Sequence, residues 1–186
     1  IIAIISWIDF YALISKIIKK NYIKDKFFRF FYKTLSLFYL SGLVYLILAI
    51  ESQYINLKIY LLYSILIAIM SDIGGLVFGK LFKGKKLTKI SPNKTISGSI
   101  GSFIFSLSLI PFFYKDQIDH NLLSMFLITI IISLITQLGD LFISLLKRSA
   151  KVKNTSDILP GHGGILDRID GIIFAIPLGI SLFIII

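Results

Sequence analysis

Residues 122–146, LLSMFLITIIISLITQLGDLFISLL, form an apolar run long enough to cross a lipid bilayer as one helix. The hydrocarbon core of a bilayer is roughly 30 Å thick and takes about 20 helical residues to cross. Overall, 56% of the 186 residues are hydrophobic, and they cluster in runs instead of alternating with polar residues. The other apolar segments lie at about 1–15, 34–50, 57–74, 97–113 and 170–186. The chain is therefore predicted to be all-α, a polytopic transmembrane helical bundle with cytoplasmic polar loops.

The basic residues are distributed unevenly between the two ends of these segments. All of the 20 Lys and Arg residues except Lys58 and Lys115 fall in three loops, at 16–33, 79–94 and 147–168. Cytoplasmic loops of membrane proteins carry an excess of Lys and Arg, so these three loops are predicted to face the cytoplasm. The Ile- and Lys-rich composition indicates an AT-rich bacterial genome, and hence an integral protein of a bacterial cytoplasmic membrane.

Composition also excludes several classes of protein. The chain has no cysteine, so disulfides and thiolate metal sites are excluded. The net charge of +10 does not indicate a nucleic-acid partner, because the aromatic residues lie inside the apolar runs and not among the cations. The sequence opens on Ile1 within an apolar stretch, without a basic leader. We expect residues 1–186 to be a single membrane-embedded domain that lacks one or more N-terminal helices.

Asp140 is an unusual residue for an apolar segment. Ser144 and Lys147 follow it by four and seven residues, so the three side chains share one helix face. A carboxylate facing lipid is costly, so this face is predicted to line a polar cavity or contact another helix. Gly139 would let another backbone approach closely there. Asp72, near the end of the third segment, is predicted on the same side of the membrane, and Asp9 is left unassigned.

The loop after this segment concentrates polar chemistry in the run Ser144–Asp170, SLLKRSAKVKNTSDILPGHGGILDRID. Asp167 and Asp170 are three residues apart, a spacing that suits Mg²⁺, although carboxylates at a helix N-terminus with Arg168 as counter-ion would look the same. The backbone of Gly163 and Gly164 would bind phosphate oxygens or simply form a turn. His162 would donate to a phosphate, transfer a proton, or be solvated.

Two further basic elements have similar alternatives. Lys147 and Arg148 would either neutralise a triphosphate or lipid phosphate, or stabilise the C-terminus of their helix. Ser91–Pro92–Asn93–Lys94–Thr95 would either cap the fourth helical segment or provide a second phosphate-binding element from Lys94 and Thr95.

The run Ser144–Asp170 resembles the C-terminal hallmark of the phosphatidate cytidylyltransferases, or CDP-diacylglycerol synthases. SDIGGLVFGK followed by KLTKISPNKT resembles the upstream motif of the same family, and together the two motifs cover roughly residues 70–175. The resemblance implies an enzyme that transfers the cytidylyl group of CTP to phosphatidate, giving CDP-diacylglycerol and pyrophosphate with Mg²⁺ as cofactor. The active site would face the cytoplasm among membrane lipids, and a homodimer is compatible with this assignment.

The resemblance also implies roles for individual residues. The catalytic set would be Asp140, Lys147, Arg148, His162, Asp167 and Arg168. The substrate-binding set would be Ser91, Lys94, Thr95, Ser144, Lys153, Gly163 and Gly164. The metal ligands would be Asp140 and Asp167, to which the spacing of the paired carboxylates adds Asp170.

The sequence departs from the family pattern at several positions. Asn154 and Ser97 replace acidic residues, Gly75–Leu76 replaces a small-plus-aromatic pair, and Gly171 replaces a serine. None of these changes removes Asp140, Asp167 or Lys147. Two other functions compete with the family assignment. One is a CTP-dependent lipid kinase, and the other is a transporter with Asp140 as an intramembrane coupling carboxylate, although a transporter would place its polar residues near the bilayer midplane.

Overall fold

The computed structural model describes residues 1–19, 22–88, 90–115, 118, 120–156 and 163–186. The helices are, in chain order, α1 (Ile2–Ile17), α2 (Ile23–Ser52), α3 (Lys58–Phe82), α4 (Ile96–Leu107), the short α5 (Ile110–Phe113), α6 (Leu122–Ser149), the short α7 (Leu166–Ile169) and α8 (Ile172–Ile185). A 3-10 turn, Ile55–Leu57, precedes α3. Within the described ranges, β-type pairing is limited to isolated bridges, so the prediction of an all-α protein is confirmed.

Most of these helices are long and apolar enough to cross a membrane. The helical stretches of that kind are Ile23–Ser52, Ile55–Phe82, Ile96–Phe113, Leu122–Ser149 and Leu166–Ile185. α1 has 16 residues and is shorter than these stretches. The prediction of a polytopic integral membrane protein is confirmed.

α3 and α4 pack together closely because both present small residues at their contact. A Cβ on Gly74 would collide with the carbonyl oxygen of Gly101, and one on Gly101 would collide with the side chain of Phe78. Ser102 Oγ donates a hydrogen bond to the carbonyl oxygen of Ser71 at 2.7 Å. Small residues let helix backbones approach in lipid, where dispersion contacts and interhelical hydrogen bonds drive association.

α6 packs against both α3 and α8 in the centre of the bundle. The hydroxyls of Tyr63 and Thr129 form a fully buried hydrogen bond of 2.7 Å between α3 and α6. At the contact with α8, a Cβ on Gly139 would come within 2.9 Å of the Asp170 carbonyl oxygen, and one on Gly171 would meet Thr136. The predicted close backbone approach at Gly139 is confirmed. It places the Asp140 region of α6 beside the end of α7.

α1 belongs to a second apolar cluster, nearer the C-terminal end of α6. Leu13 of α1 packs there with Leu40 of α2, Ile143 of α6 and Leu166 of α7. α1 and α2 are joined by a short connection, so they run antiparallel. α1 also contacts α7.

Candidate functional site

A polar cavity of about 450 Å³ opens at the basic-loop end of the bundle. Residues from α3, the 87–95 turn, α4, α6 and the α7–α8 region contribute to it. Its lining residues are Ser71, Asp72, Gly75, Leu76, Leu87, Ser91, Asn93, Lys94, Thr95, Gly98, Ser99, Ser102, Gln137, Asp140, Lys147, Asp167, Arg168 and Asp170. The cavity thus joins the two sequence motifs, which are separated by the whole of α4, α5 and most of α6.

Three carboxylates from different helical segments face this cavity. The carboxyl group of Asp170 lies within hydrogen-bonding reach of that of Asp140, and Asp72 of α3 is near both. Asp170 itself is only 7% exposed. In the described part of the chain, no three His, Asp or Glu side chains form a closed metal cage. Carboxylates held this close repel one another unless a cation or a proton lies between them.

Lys94 is the cation paired with Asp140. Its ammonium group forms an ion pair with Asp140 Oδ2, which connects the 87–95 turn to α6. The turn is held by backbone hydrogen bonds from Leu87 N to Lys94 O at 2.8 Å and from Ile96 N to Lys85 O at 2.9 Å. Thr95 is the N-cap of α4, and its hydroxyl accepts a hydrogen bond from Gly98 N at 3.0 Å. Ser91, Lys94 and Thr95 are thereby fixed on one wall of the cavity.

Lys147 is paired with Asp167. Lys147 Nζ donates to Asp167 Oδ1 at 2.6 Å, and both side chains are largely buried. Asp167 Oδ2 accepts from the backbone N of Thr155 at 2.9 Å, from the Thr155 hydroxyl at 3.0 Å and from Gly164 N at 3.0 Å. Gly163 supports this turn with a φ of +86°, in the region that favours glycine. Asp167 therefore connects Thr155 to Gly164, and its oxygens are already engaged within the protein.

Asp9 of α1, which the sequence analysis left unassigned, extends this network. It is fully buried, and its Oδ2 accepts from the Thr155 hydroxyl and from Leu166 N, both at 3.2 Å. Thr155 thus connects Asp9 to Asp167. A carboxylate inside the apolar first segment is a sign of a functional or structural role. Its partners could not be identified from the sequence, because they are more than 140 residues away.

The remaining predicted site residues lie in different surroundings. Arg168 lines the cavity, whereas Arg148 is exposed and its Nε donates to the carbonyl oxygen of Ile90 at 3.4 Å. Ser144 is buried and donates to Asp140 at 3.4 Å, so it contacts the site through that carboxylate. Lys153 is exposed and does not line the cavity. His162 lies outside the described residues.

The cavity also contains polar residues that were not predicted for the site. These are Asp72, Asn93, Gln137, Ser71, Ser99 and Ser102. Ser99 Oγ donates to Gln137 Oε1 at 2.6 Å and so links α4 to α6. The only signal for Asp72 was its position at the basic-loop end of an apolar segment.

Comparison with known proteins identifies relatives of this chain. The model of the cytidylyltransferase family matches residues 1–186, the whole chain. The phosphatidate cytidylyltransferase of Staphylococcus haemolyticus (strain JCSC1435) is 48% identical over 122 residues, which is 64% of this chain and 46% of the relative. Those of Staphylococcus saprophyticus (strain ATCC 15305) and Staphylococcus aureus (strain COL) are 45% and 47% identical over the same length, with the same shares of each chain. The matched region is less than half the length of these relatives. The chain belongs to the cytidylyltransferase family.

Proposed function

We propose that this chain forms the catalytic part of a phosphatidate cytidylyltransferase, which makes CDP-diacylglycerol and pyrophosphate from CTP and phosphatidate at the cytoplasmic face of the membrane. The observation that carries the proposal is one cavity that combines Asp72, Asp140 and Asp170 with Lys94, Lys147 and Arg168. Its volume of about 450 Å³ is in the range of small-molecule sites. Family membership and the names of the relatives support the same reaction.

The carboxylates of the cavity fit a magnesium ion. Mg²⁺ prefers hard oxygen ligands and usually binds through one or two carboxylates together with substrate phosphates. Asp140 and Asp170, with Asp72 near both, offer such oxygens on the cavity wall. Asp167 suits this role less well, because its Oδ2 already accepts hydrogen bonds from Thr155 and Gly164. Bound there, Mg²⁺ would neutralise charge on the phosphates of the nucleotide.

The cations of the cavity would bind the substrate phosphates. An oxygen of the phosphatidate phosphate attacks the α-phosphorus of CTP, the bond from that phosphorus to the β-phosphate oxygen breaks, and pyrophosphate leaves. Lys94 and Lys147 would exchange their present carboxylate partners for phosphate oxygens, and Arg168 would add a bidentate contact. Such a transfer depends on positioning and charge neutralisation more than on covalent catalysis.

The cavity also has an apolar side that suits a lipid substrate. Leu76 of α3 lines it and is 62% exposed, and its neighbours Ile73 and Val77 on α3 are also exposed. These side chains would face the acyl chains of the bilayer, so the headgroup of a phospholipid reaches the cavity sideways. Soluble CTP would enter from the basic-loop end.

The reaction is tested by following the phosphates of CTP. The full-length protein in detergent is incubated with phosphatidate, Mg²⁺ and CTP labelled on either the α- or the γ-phosphate. We expect the α-label in the lipid product and the γ-label in pyrophosphate. A γ-labelled lipid with release of CDP would instead identify a CTP-dependent lipid kinase.

Matched variants connect the product to the cavity. Asp140→Asn should abolish the α-labelled lipid, whereas Glu51→Gln, at an exposed ion pair with Lys58, should leave it unchanged. Equal activity in the two variants would reject the cavity as the active site.

A further inference from the structure

A second cavity lies between α1 and α2 and shares no residue with the first. Its volume is about 470 Å³. We call it the basic groove, and its lining includes Trp7, Tyr11, Lys26, Arg29, Lys33 and Thr34. Its described lining contains three cations and no carboxylate. A cavity of this size and charge suits a polyatomic anionic group that is part of a larger molecule.

The groove is built by contacts between the two helices. Trp7 Nε1 donates to the carbonyl oxygen of Lys33 at 3.2 Å, which fixes the register of α1 against α2. Lys33 Nζ lies 3.2 Å from the centre of the Tyr11 ring, in a cation–π contact. Lys26, Arg29 and Lys33 are spaced by three and four residues, so they line one face of α2. The cations are therefore gathered by the helix geometry and not scattered over a loop.

The length of α2 places the groove at the level of the lipid headgroups. α2 has 30 residues, which is about 45 Å of helix against a hydrocarbon core of roughly 30 Å. The basic residues of α2 occupy its first turns, so these turns extend beyond the core on the basic-loop side. Phe27, Phe31 and Tyr32 are exposed on the same turns, as expected of aromatic residues at a membrane interface.

We propose that the basic groove binds the phosphate headgroup of an anionic glycerophospholipid. Charge complementarity favours a phosphate, and juxtamembrane cations attract anionic lipids. The groove is also bordered by Phe30 and Leu37, which are 70% and 47% exposed and would lie along glycerol and acyl chains. An amphipathic border of this kind favours a lipid over a soluble anion. The proposal is independent of the reaction proposed above, because no residue of the groove lines the first cavity.

Trp7 gives a direct readout, since it is the only tryptophan in the sequence and lines the groove. The full-length protein is placed in nanodiscs made mainly of phosphatidylcholine. A fixed fraction of the lipid carries brominated acyl chains, which quench tryptophan fluorescence. This brominated lipid is phosphatidylglycerol in one sample and phosphatidylcholine in the other. A Trp7→Phe variant is measured in parallel. Its fluorescence, from any tryptophan elsewhere in the protein, is subtracted to leave the signal of Trp7. We expect brominated phosphatidylglycerol to quench Trp7 several-fold more than brominated phosphatidylcholine at the same content.

Charge-matched variants separate the groove from the general attraction of a basic surface. Lys26→Gln with Arg29→Gln and Lys33→Gln should weaken the apparent affinity for phosphatidylglycerol on the order of fivefold per cation removed. Lys16→Gln with Lys19→Gln and Lys24→Gln removes the same charge from exposed positions that do not line the groove, and should weaken the affinity clearly less. Lys26→Gln alone, at an exposed side chain, tests the groove without disturbing the Tyr11 contact.

Three results would overturn the proposal. Equal quenching by the two brominated lipids would show that the groove does not select a charged headgroup. Equal losses in the two triple variants would assign the binding to diffuse surface charge. Displacement of the lipid by inorganic phosphate alone would assign the groove to a soluble anion.

Discussion

Lys147 Nζ lies 2.6 Å from Asp167 Oδ1, and this ion pair joins the last turn of α6 to α7 across a separation of 20 residues. Both partners line the cavity. Asp167 is therefore connected on one side to a cation suited to phosphate binding and on the other to the backbone of its own loop. Asp170, three residues later, faces the Asp140 carboxylate instead. The two acids of the DRID sequence have different surroundings and should respond differently to mutation.

Asp170→Asn is expected to remove activity while preserving the fold. The change removes one charge from a crowded set of carboxylates, so thermal stability in detergent should stay the same or rise. Cytidylyl transfer should fall on the order of a hundredfold or more, as when a charge-stabilising group is removed from an active site. The measurements are thermal unfolding and a Mg²⁺ titration of the rate. An unchanged Mg²⁺ requirement with near-normal turnover would reject Asp170 as a ligand.

Asp167→Ala is expected to reduce stability and activity together. The substitution leaves the Lys147 ammonium and the donors of Thr155 and Gly164 without their acceptor. Breaking a largely buried ion pair should cost about 3 kcal/mol of stability. In a thermal-unfolding double-mutant cycle, Lys147→Ala should be less destabilising in the Asp167→Ala background than in the wild type. Glu51→Ala, at an exposed pair, is the control and should leave the unfolding temperature unchanged. Additive effects at positions 147 and 167 would contradict the coupling.

Asp9→Ala is expected to loosen the loop that carries Asp167, although Asp9 does not line the cavity. The Thr155 hydroxyl and Leu166 N would lose a buried acceptor, which costs about 1–3 kcal/mol. Hydrogen exchange around residues 163–167 should become faster, and kcat should fall about tenfold or more. Asp9→Asn keeps a carbonyl oxygen as acceptor and should restore most of both. If Asp9→Asn behaved like Asp9→Ala, the hydrogen-bond acceptor at position 9 would not be what stabilises this segment.

Gly139→Ala is expected to separate α6 from α8 at the level of the site. The new methyl group would lie 2.9 Å from the Asp170 carbonyl oxygen and 2.5 Å from the Phe174 ring, both too close for an unshifted backbone. Displacement of the segment that bears Asp170 should lower both thermal stability and turnover. Gly42→Ala is the matched control, because a Cβ there meets nothing within 4 Å. In α2 it should be neutral or slightly stabilising. Similar behaviour of the two variants would contradict the close packing at Gly139.

The sequence predicts those parts of the fold and site that depend on local periodicity. Apolar run length and charge asymmetry predict the bundle, and helical spacing predicts that Asp140 and Lys147 share a face. Local motifs also identify Lys94, Lys147 and Arg168 on the cavity wall. These features need no knowledge of which helices are neighbours.

Features that depend on distant contacts could not be predicted in this way. The pairing of Lys147 with Asp167, and of Lys94 with Asp140, depends on how three segments meet. Asp72 reaches the cavity because Gly74 and Gly101 let α3 and α4 approach. α3 also continues to Phe82, beyond the apolar run 57–74, because packing against α4 supports a helix that hydropathy alone does not mark.

α1 connects the basic groove to the loop that carries Asp167. Trp7 and Tyr11 face the groove, whereas Asp9, two residues from each, holds Thr155 and Leu166 on the opposite side. A ligand in the groove and a substrate that orders this loop would therefore act on the same short helix. By thermodynamic linkage, any factor by which one strengthens the binding of the other applies equally in reverse. The lipid composition of the surrounding leaflet would then change the apparent affinity for the nucleotide through α1.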